Sequence, residues 1–137
     1  MAITGQISPD KVKPSELQFF KAWRQFQIGA FSITPYLMDH SAFDAYGFLV
    51  SAGGKSLFYS GDFRGHGRKA KLLDHLVQHP TQVNVLLMEG TLIGERTNEL
   101  SISEFDLENR FVSIIEETPG IVLVTASSQN IDRIVTV

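Results

Sequence analysis

Three apolar runs in this chain end in the same way. "FSITPYLM" runs into Asp39-His40-Ser41, "GKSLFYS" into Gly61-Asp62, and "VNVLLM" into Glu89-Gly90-Thr91. A short run of apolar, β-branched and aromatic residues closed by Gly, Asp or Ser reads as a strand that stops at a turn. Open α/β sheets gather ligands beyond the carboxyl ends of their strands. The repeated ending therefore constrains both the fold and the place where chemistry would sit.

The segments between these runs complete the pattern. "YGFLVSAGGKSLFYS" is a hairpin, two apolar runs joined at Gly53-Gly54. "RKAKLLDHLVQHP" has helical spacing, with Leu72, Leu73, Leu76 and Val77 inward and Pro80 as its stop. "SISEFDLENRFVSIIEETPG" is a second helix, with a capping box expected from Ser101 and Glu104 and an end at Pro119-Gly120. Upstream, "KPSELQFFKAWRQF" suggests a first helix that begins at Pro14 and Ser15 and shows Leu17, Phe20 and Trp23 on one face. "VNVLLMEGT" and "IVLVTASS" read as strands buried on both faces, and "NIDRIVTV" opens a further helix. Alternating strands and helices indicate an α/β protein. The last periodic pattern stops after about two turns, so a portion of a larger fold is expected.

Composition excludes several classes. A net charge of -3 gives no global electrostatic case for nucleic acid, although a local basic groove is compatible with it. Without cysteine there is neither a disulfide nor a thiolate metal site. No run approaches the ~20 apolar residues of a membrane span, and the polar, proline-containing start is unlike a secretory signal. A soluble, cytoplasmic protein is expected.

His, Asp and Glu at adjacent strand ends would make a hard site, suited to zinc or manganese. No compact ligand motif such as H-x-H occurs. The quoted pieces "DHSAFDAYGFLV", "GKSLFYSGDFR", "VNVLLMEGT" and "IVLVTASSQNIDRI" together resemble metallo-β-lactamase-fold hydrolases, most closely the beta-CASP, ribonuclease J-like group. The resemblance runs from "IGAFSITPYL" to the end of the chain. It implies part of an αβ/βα sandwich over residues 1–98 and the start of an inserted beta-CASP domain over 99–137. It also implies two zinc ions in the complete enzyme, with RNA or another phosphodiester as substrate. Matched position by position, His40 corresponds to a metal-ligating histidine and Asp62 to the bridging aspartate. Glu89 corresponds to an acid that orients a ligand histidine, a role that fixes imidazole tautomer and basicity. The turn with Ser127, Ser128 and Arg133 corresponds to a nucleic-acid contact.

One departure limits what this chain does. The family's H-x-H-x-D-H motif is absent, and His40, His66, His75 and His79 are the only histidines. Two ligands leave zinc weakly bound or unbound, so the isolated chain is expected to be inactive. Plainer readings stand beside each residue. His40 is also compatible with a hydrogen-bonded loop histidine, Asp62 with an Asx-turn residue, and Glu89 with a turn cap. Asp39 reads as structural. Arg64, Arg68, Lys69 and Lys71 put basic charge at a helix start against the macrodipole. Arg64 and Arg68 are accordingly candidate phosphate contacts, with a solvated helix start as the ordinary alternative. His75 and His79 lie one turn apart without the Glu of H-E-x-x-H and read as surface residues. Two other functions stay open: a non-catalytic binding or assembly module, as a homo-oligomer covering an exposed half-core, and a small-ester or lactam hydrolase of the same fold.

Overall fold

The computed structural model describes residues 17–91 and 101–137. Five strands form one sheet: β1 (Phe26–Ile28), β2 (Phe31–Leu37), β3 (Tyr46–Ala52), β4 (Lys55–Tyr59) and β5 (Val85–Leu87), in the order β1-β2-β3-β4-β5. The first four make an antiparallel meander, and β5 runs parallel to β4. A parallel neighbour requires a crossover, and helix α1 (Ala70–Gln78) lies on that connection. Helices α2 (Glu104–Glu117) and α3 (Ile131–Thr136) follow. The chain is thus mixed α/β. No helix among the described residues is long and apolar enough to cross a membrane.

The β3–β4 hairpin turns where the sequence places it. Gly53 and Gly54 have φ of 55° and 72°, the left-handed values a tight hairpin turn demands. Pairing runs from Ala52↔Lys55 to Phe48↔Tyr59. Aromatic side chains cover both sheet faces. On one face Phe20 meets Tyr46, Phe48 and Phe26 at ring distances of 5.0, 5.7 and 5.7 Å. Tyr36 and Phe58 lie on the other face, 5.3 Å apart, with Trp23 4.9 Å from Tyr36.

That first face corrects the expected N-terminal helix. Residues 17–25 are non-helical. Trp23 has φ of 65°, and its N–H donates to the Pro35 carbonyl. Phe20 covers the sheet instead of lining a helix face. The expectation for 13–16 lies outside the described residues.

Three further expectations are corrected. Val85, Leu86 and Leu87 are exposed rather than doubly buried, and β5 is the last strand of the sheet among the described residues. Residues 121–127 pair with no strand among the described residues, and Ile121 and Leu123 are 86% and 90% exposed. The α2 cap is Ser103, whose Oγ accepts from the Asp106 N–H, not Ser101. That frees the Glu104 side chain for another role. Among the large apolar side chains of the described residues only Met38 and Phe58 are buried, beside a fully buried Pro35 in β2. Leu73 and Leu76 of α1 line a cavity of about 390 Å³ above the sheet, with Met38, Phe58 and Leu86 opposite.

Candidate functional site

Because β2 and β4 both run antiparallel to β3, and β5 runs parallel to β4, the carboxyl ends of β2, β4 and β5 share one sheet edge. Asp39-His40-Ser41, Gly61-Asp62 and Glu89 therefore reach the same edge, as the strand endings anticipate. Hydrogen bonds tie the three loops together. The Arg64 N–H donates to the Asp39 carbonyl at 2.7 Å. The Phe63 N–H donates to Glu89 Oε1 at 2.7 Å, and the Thr91 hydroxyl to Oε2 at 2.9 Å. Glu89 thus grips the loop that carries Asp62.

Local geometry explains the residue types. Gly61 has φ of 60°, and a Cβ there would stand 2.6 Å from the Tyr46 carbonyl oxygen. Only glycine makes that turn, and it presents Asp62 to solvent. His40 is half-buried, with Nδ1 3.4 Å from Ser41 Oγ. Among the described residues no three or more His, Asp or Glu side chains converge as a metal site.

Asp39 is fully buried, and its carboxylate accepts from the N–H groups of Gly67 (2.8 Å) and Lys69 (3.2 Å). It fixes the β4–α1 loop against the end of β2, the structural role its sequence position suggests. Lys69 Nζ donates to the carbonyls of Ala42 and Phe43. The basic stretch 64–69 thereby meets partners within the chain.

The arginines are paired as well. Arg64 Nη2 binds Asp132 Oδ2 at 2.5 Å, and its Nη1 lies 3.6 Å from Glu104. Its Nε is buried with no hydrogen-bond partner among the described residues. Arg68 pairs with Glu108 at 2.6 Å. Arg133 reaches Glu104 with Nε and Nη2, at 3.2 and 3.1 Å. Glu104 is 2% exposed. Burial pushes its carboxyl pKa up, but hydrogen bonds from Arg133 and Thr136 and the charges of Arg133 and Arg64 outweigh that and hold it below the usual glutamate value. Ser127 and Ser128 are exposed, and Ser127 Oγ accepts from the Gln129 N–H. The α3 cap is Asn130, accepting from the Arg133 N–H.

Sequence reasoning missed two participants. Gly67 sits where a Cβ would collide with Asp39 Oδ1 and stand 2.7 Å from Arg64 Nε and 2.8 Å from Asp132 Oδ2. Glu104 is the buried acid on which Arg133 and Arg64 converge. The signal for it was an acid beside a serine cap, which the capping-box pattern absorbed.

The fold and this edge define an α/β protein whose polar and acidic residues collect at the carboxyl ends of one sheet. In sequence the chain is similar to Ribonuclease J of Mycoplasma genitalium, 28% identical over 124 residues that span 89% of this chain and 22% of that protein. A crystal structure of a protein of unknown function from Enterococcus faecalis V583 shares the fold, with a TM-score of 0.75 and 21% identity over 93% of this chain and 32% of that one. The chain thus spans well under half the length of each of these two proteins. No family model matches it.

Proposed function

We propose that this chain is a piece of an RNA-cleaving hydrolase of the metallo-β-lactamase fold, beta-CASP branch. Residues 1–98 belong to the metal domain and 99–137 open the inserted domain. The carrying observation is the similarity to a ribonuclease over 89% of the chain, together with His40, Asp62 and Glu89 at one sheet edge. On this reading His40 and Asp62 are metal ligands, zinc being the ion their chemistry suits. Glu89 sets the Asp62 loop through the Phe63 N–H. The setting is cytoplasmic and the substrate RNA.

Two ligands do not complete a zinc site. A catalytic zinc takes about three protein ligands, and His40 and Asp62 fall one short of that, so hydrolysis needs residues from outside this chain. Arg64, Arg68 and Arg133 reach a phosphate only by releasing a carboxylate, whereas Ser127 and Ser128 lie exposed at their turn.

Two measurements test the reading. The isolated chain with zinc and labelled RNA is expected to give no sustained cleavage; cleavage lost in both His40→Ala and Asp62→Asn would overturn its inactivity. Grafted in place of the matching region of the Mycoplasma genitalium ribonuclease, the chain is expected to support cleavage that Asp62→Asn abolishes. A folded but inactive graft counts against the family reading.

A second reading is favoured by the apolar surface of β5, where Val85, Leu86 and Leu87 are 47%, 57% and 49% exposed, continued by Met88. Such a surface fits a non-catalytic module that covers it by self-association. Sedimentation of the same sample decides: a clean monomer sets it aside.

A further inference from the structure

We infer that α3 is a latch that fixes the backbone of the His40 and Asp62 loops relative to each other, with Asp132 as its positioning residue. The first loop meets the latch at Ser41, whose carbonyl accepts from the N–H groups of Ile131 (3.0 Å) and Asp132 (3.5 Å). The second meets it at Asp132 Oδ2, which accepts from Arg64 Nη2 and from the Arg68 N–H at 3.2 Å. The two loops then close on each other, since Asp39 accepts from the N–H groups of Arg64, Gly67 and Lys69. Glu104 braces the circuit from α2: its N–H donates to the His66 carbonyl while its carboxylate holds Arg133 and Thr136.

This circuit explains features that the sheet does not. Strand pairing ends at Leu37↔Tyr46, Phe48↔Tyr59 and Tyr59↔Leu87, so the ladder stops short of His40 and Asp62, and Glu89 holds the second loop to β5 without tying it to the first. Asp132 lies 68 residues beyond Arg64 in the chain, yet it is buried against it. The open N–H groups of the first α3 turn are taken by a carbonyl of the His40 loop. A side chain two residues after Asp62 and a carbonyl one residue after His40 thus share one partner element. A ligand that engages the 127–133 turn is thereby coupled to the loops at the strand ends. That functional meaning rests on the proposed reading of His40 and Asp62; the latch itself does not.

Amide hydrogen exchange on the whole chain, without metal or RNA, tests it. In Asp132→Asn the Arg64, Gly67 and Lys69 amides, all donors to Asp39, are expected to exchange about tenfold faster or more, the scale of one lost charge-assisted hydrogen bond, while β3 keeps its protection. Acceleration confined to Arg68 and α3 would overturn the latch. If β3 accelerates equally, the comparison of Ile131→Pro with Ile131→Ala decides. Proline is tolerated at a first helical position and deletes only the N–H, whereas alanine keeps it. Faster Arg64 and Gly67 exchange in the proline variant supports the latch, and equal rates refute it. Because the assay uses neither RNA nor zinc, its failure is separable from failure of the graft.

Discussion

Gly67→Ala isolates the strand-end network with a single methyl group. Its Cβ would sit within 3.0 Å of Asp39 Oδ1, Arg64 Nε and Asp132 Oδ2. None of the three has a cheap way out. Asp39 is fully buried and its two oxygens hold the amides of Gly67 and Lys69. Arg64 and Asp132 hold each other. Relief requires breaking at least one charge-assisted hydrogen bond, worth about 1.5–3 kcal/mol, and leaves a buried charge partly uncompensated, which brings the loss to about 3–5 kcal/mol. Gly53→Ala is the control. Its φ of 55° strains an alanine, but nothing lies within 4 Å of the new methyl, so its cost is only the left-handed penalty of about 1–2 kcal/mol. Urea unfolding followed by far-ultraviolet circular dichroism and Trp23 fluorescence measures both. With a slope near ~2 kcal/mol/M, the Gly67→Ala midpoint falls by about 1.5–2.5 M. A Gly67→Ala protein no less stable than Gly53→Ala would show that the network yields without cost, and the reasoning would fail.

Two further perturbations bear on the same network. The Glu104 carboxyl titrates below its usual value, so its share of stability is complete above the unfolded pKa of about 4.3 and is lost as pH falls through the lower folded value. Thermal stability should therefore weaken on acidification below that point, and Glu104→Gln should flatten this limb while lowering stability at neutral pH; an unchanged acid limb would remove Glu104 as its source. Arg68→Ala cuts a partly exposed pair, with side-chain exposures of 32% and 45%, and such pairs are worth about 0–1 kcal/mol. Arg68 Nη2 also donates to the Thr136 hydroxyl at 3.2 Å, and a loss above about 2 kcal/mol in chemical unfolding would mean that this bond carries more than the ion pair.

The meander and the helices were legible because their signals are local. Gly53-Gly54 sets a turn, Pro80 a stop, and helical spacing reveals α1 and α2. The misread segments carry apolar residues whose partners lie elsewhere. The Phe20–Trp23 stretch has helical spacing, but its aromatics find Tyr46, Phe48 and Tyr36 across the sheet. The run at 121–127 has the composition of a buried strand, yet pairing is a property of two segments, and no neighbouring strand meets it among the described residues. Composition reports what a segment favours; it cannot report whether a neighbour is present.

The candidate site divides along the same line. That acids and an imidazole would collect at one edge follows from strand endings and strand direction. That Arg64 and Arg133 would be held by Glu104 and Asp132 does not follow, because the pairs lie 29 to 68 residues apart. Read locally, basic residues at the start of α1 oppose its dipole and suggest an anion. The anions are in the chain itself, on the elements that precede and form α3. The charges that looked like a substrate footprint therefore fasten a distant helix onto the two loops, and any phosphate at this edge must compete with buried carboxylates already in place.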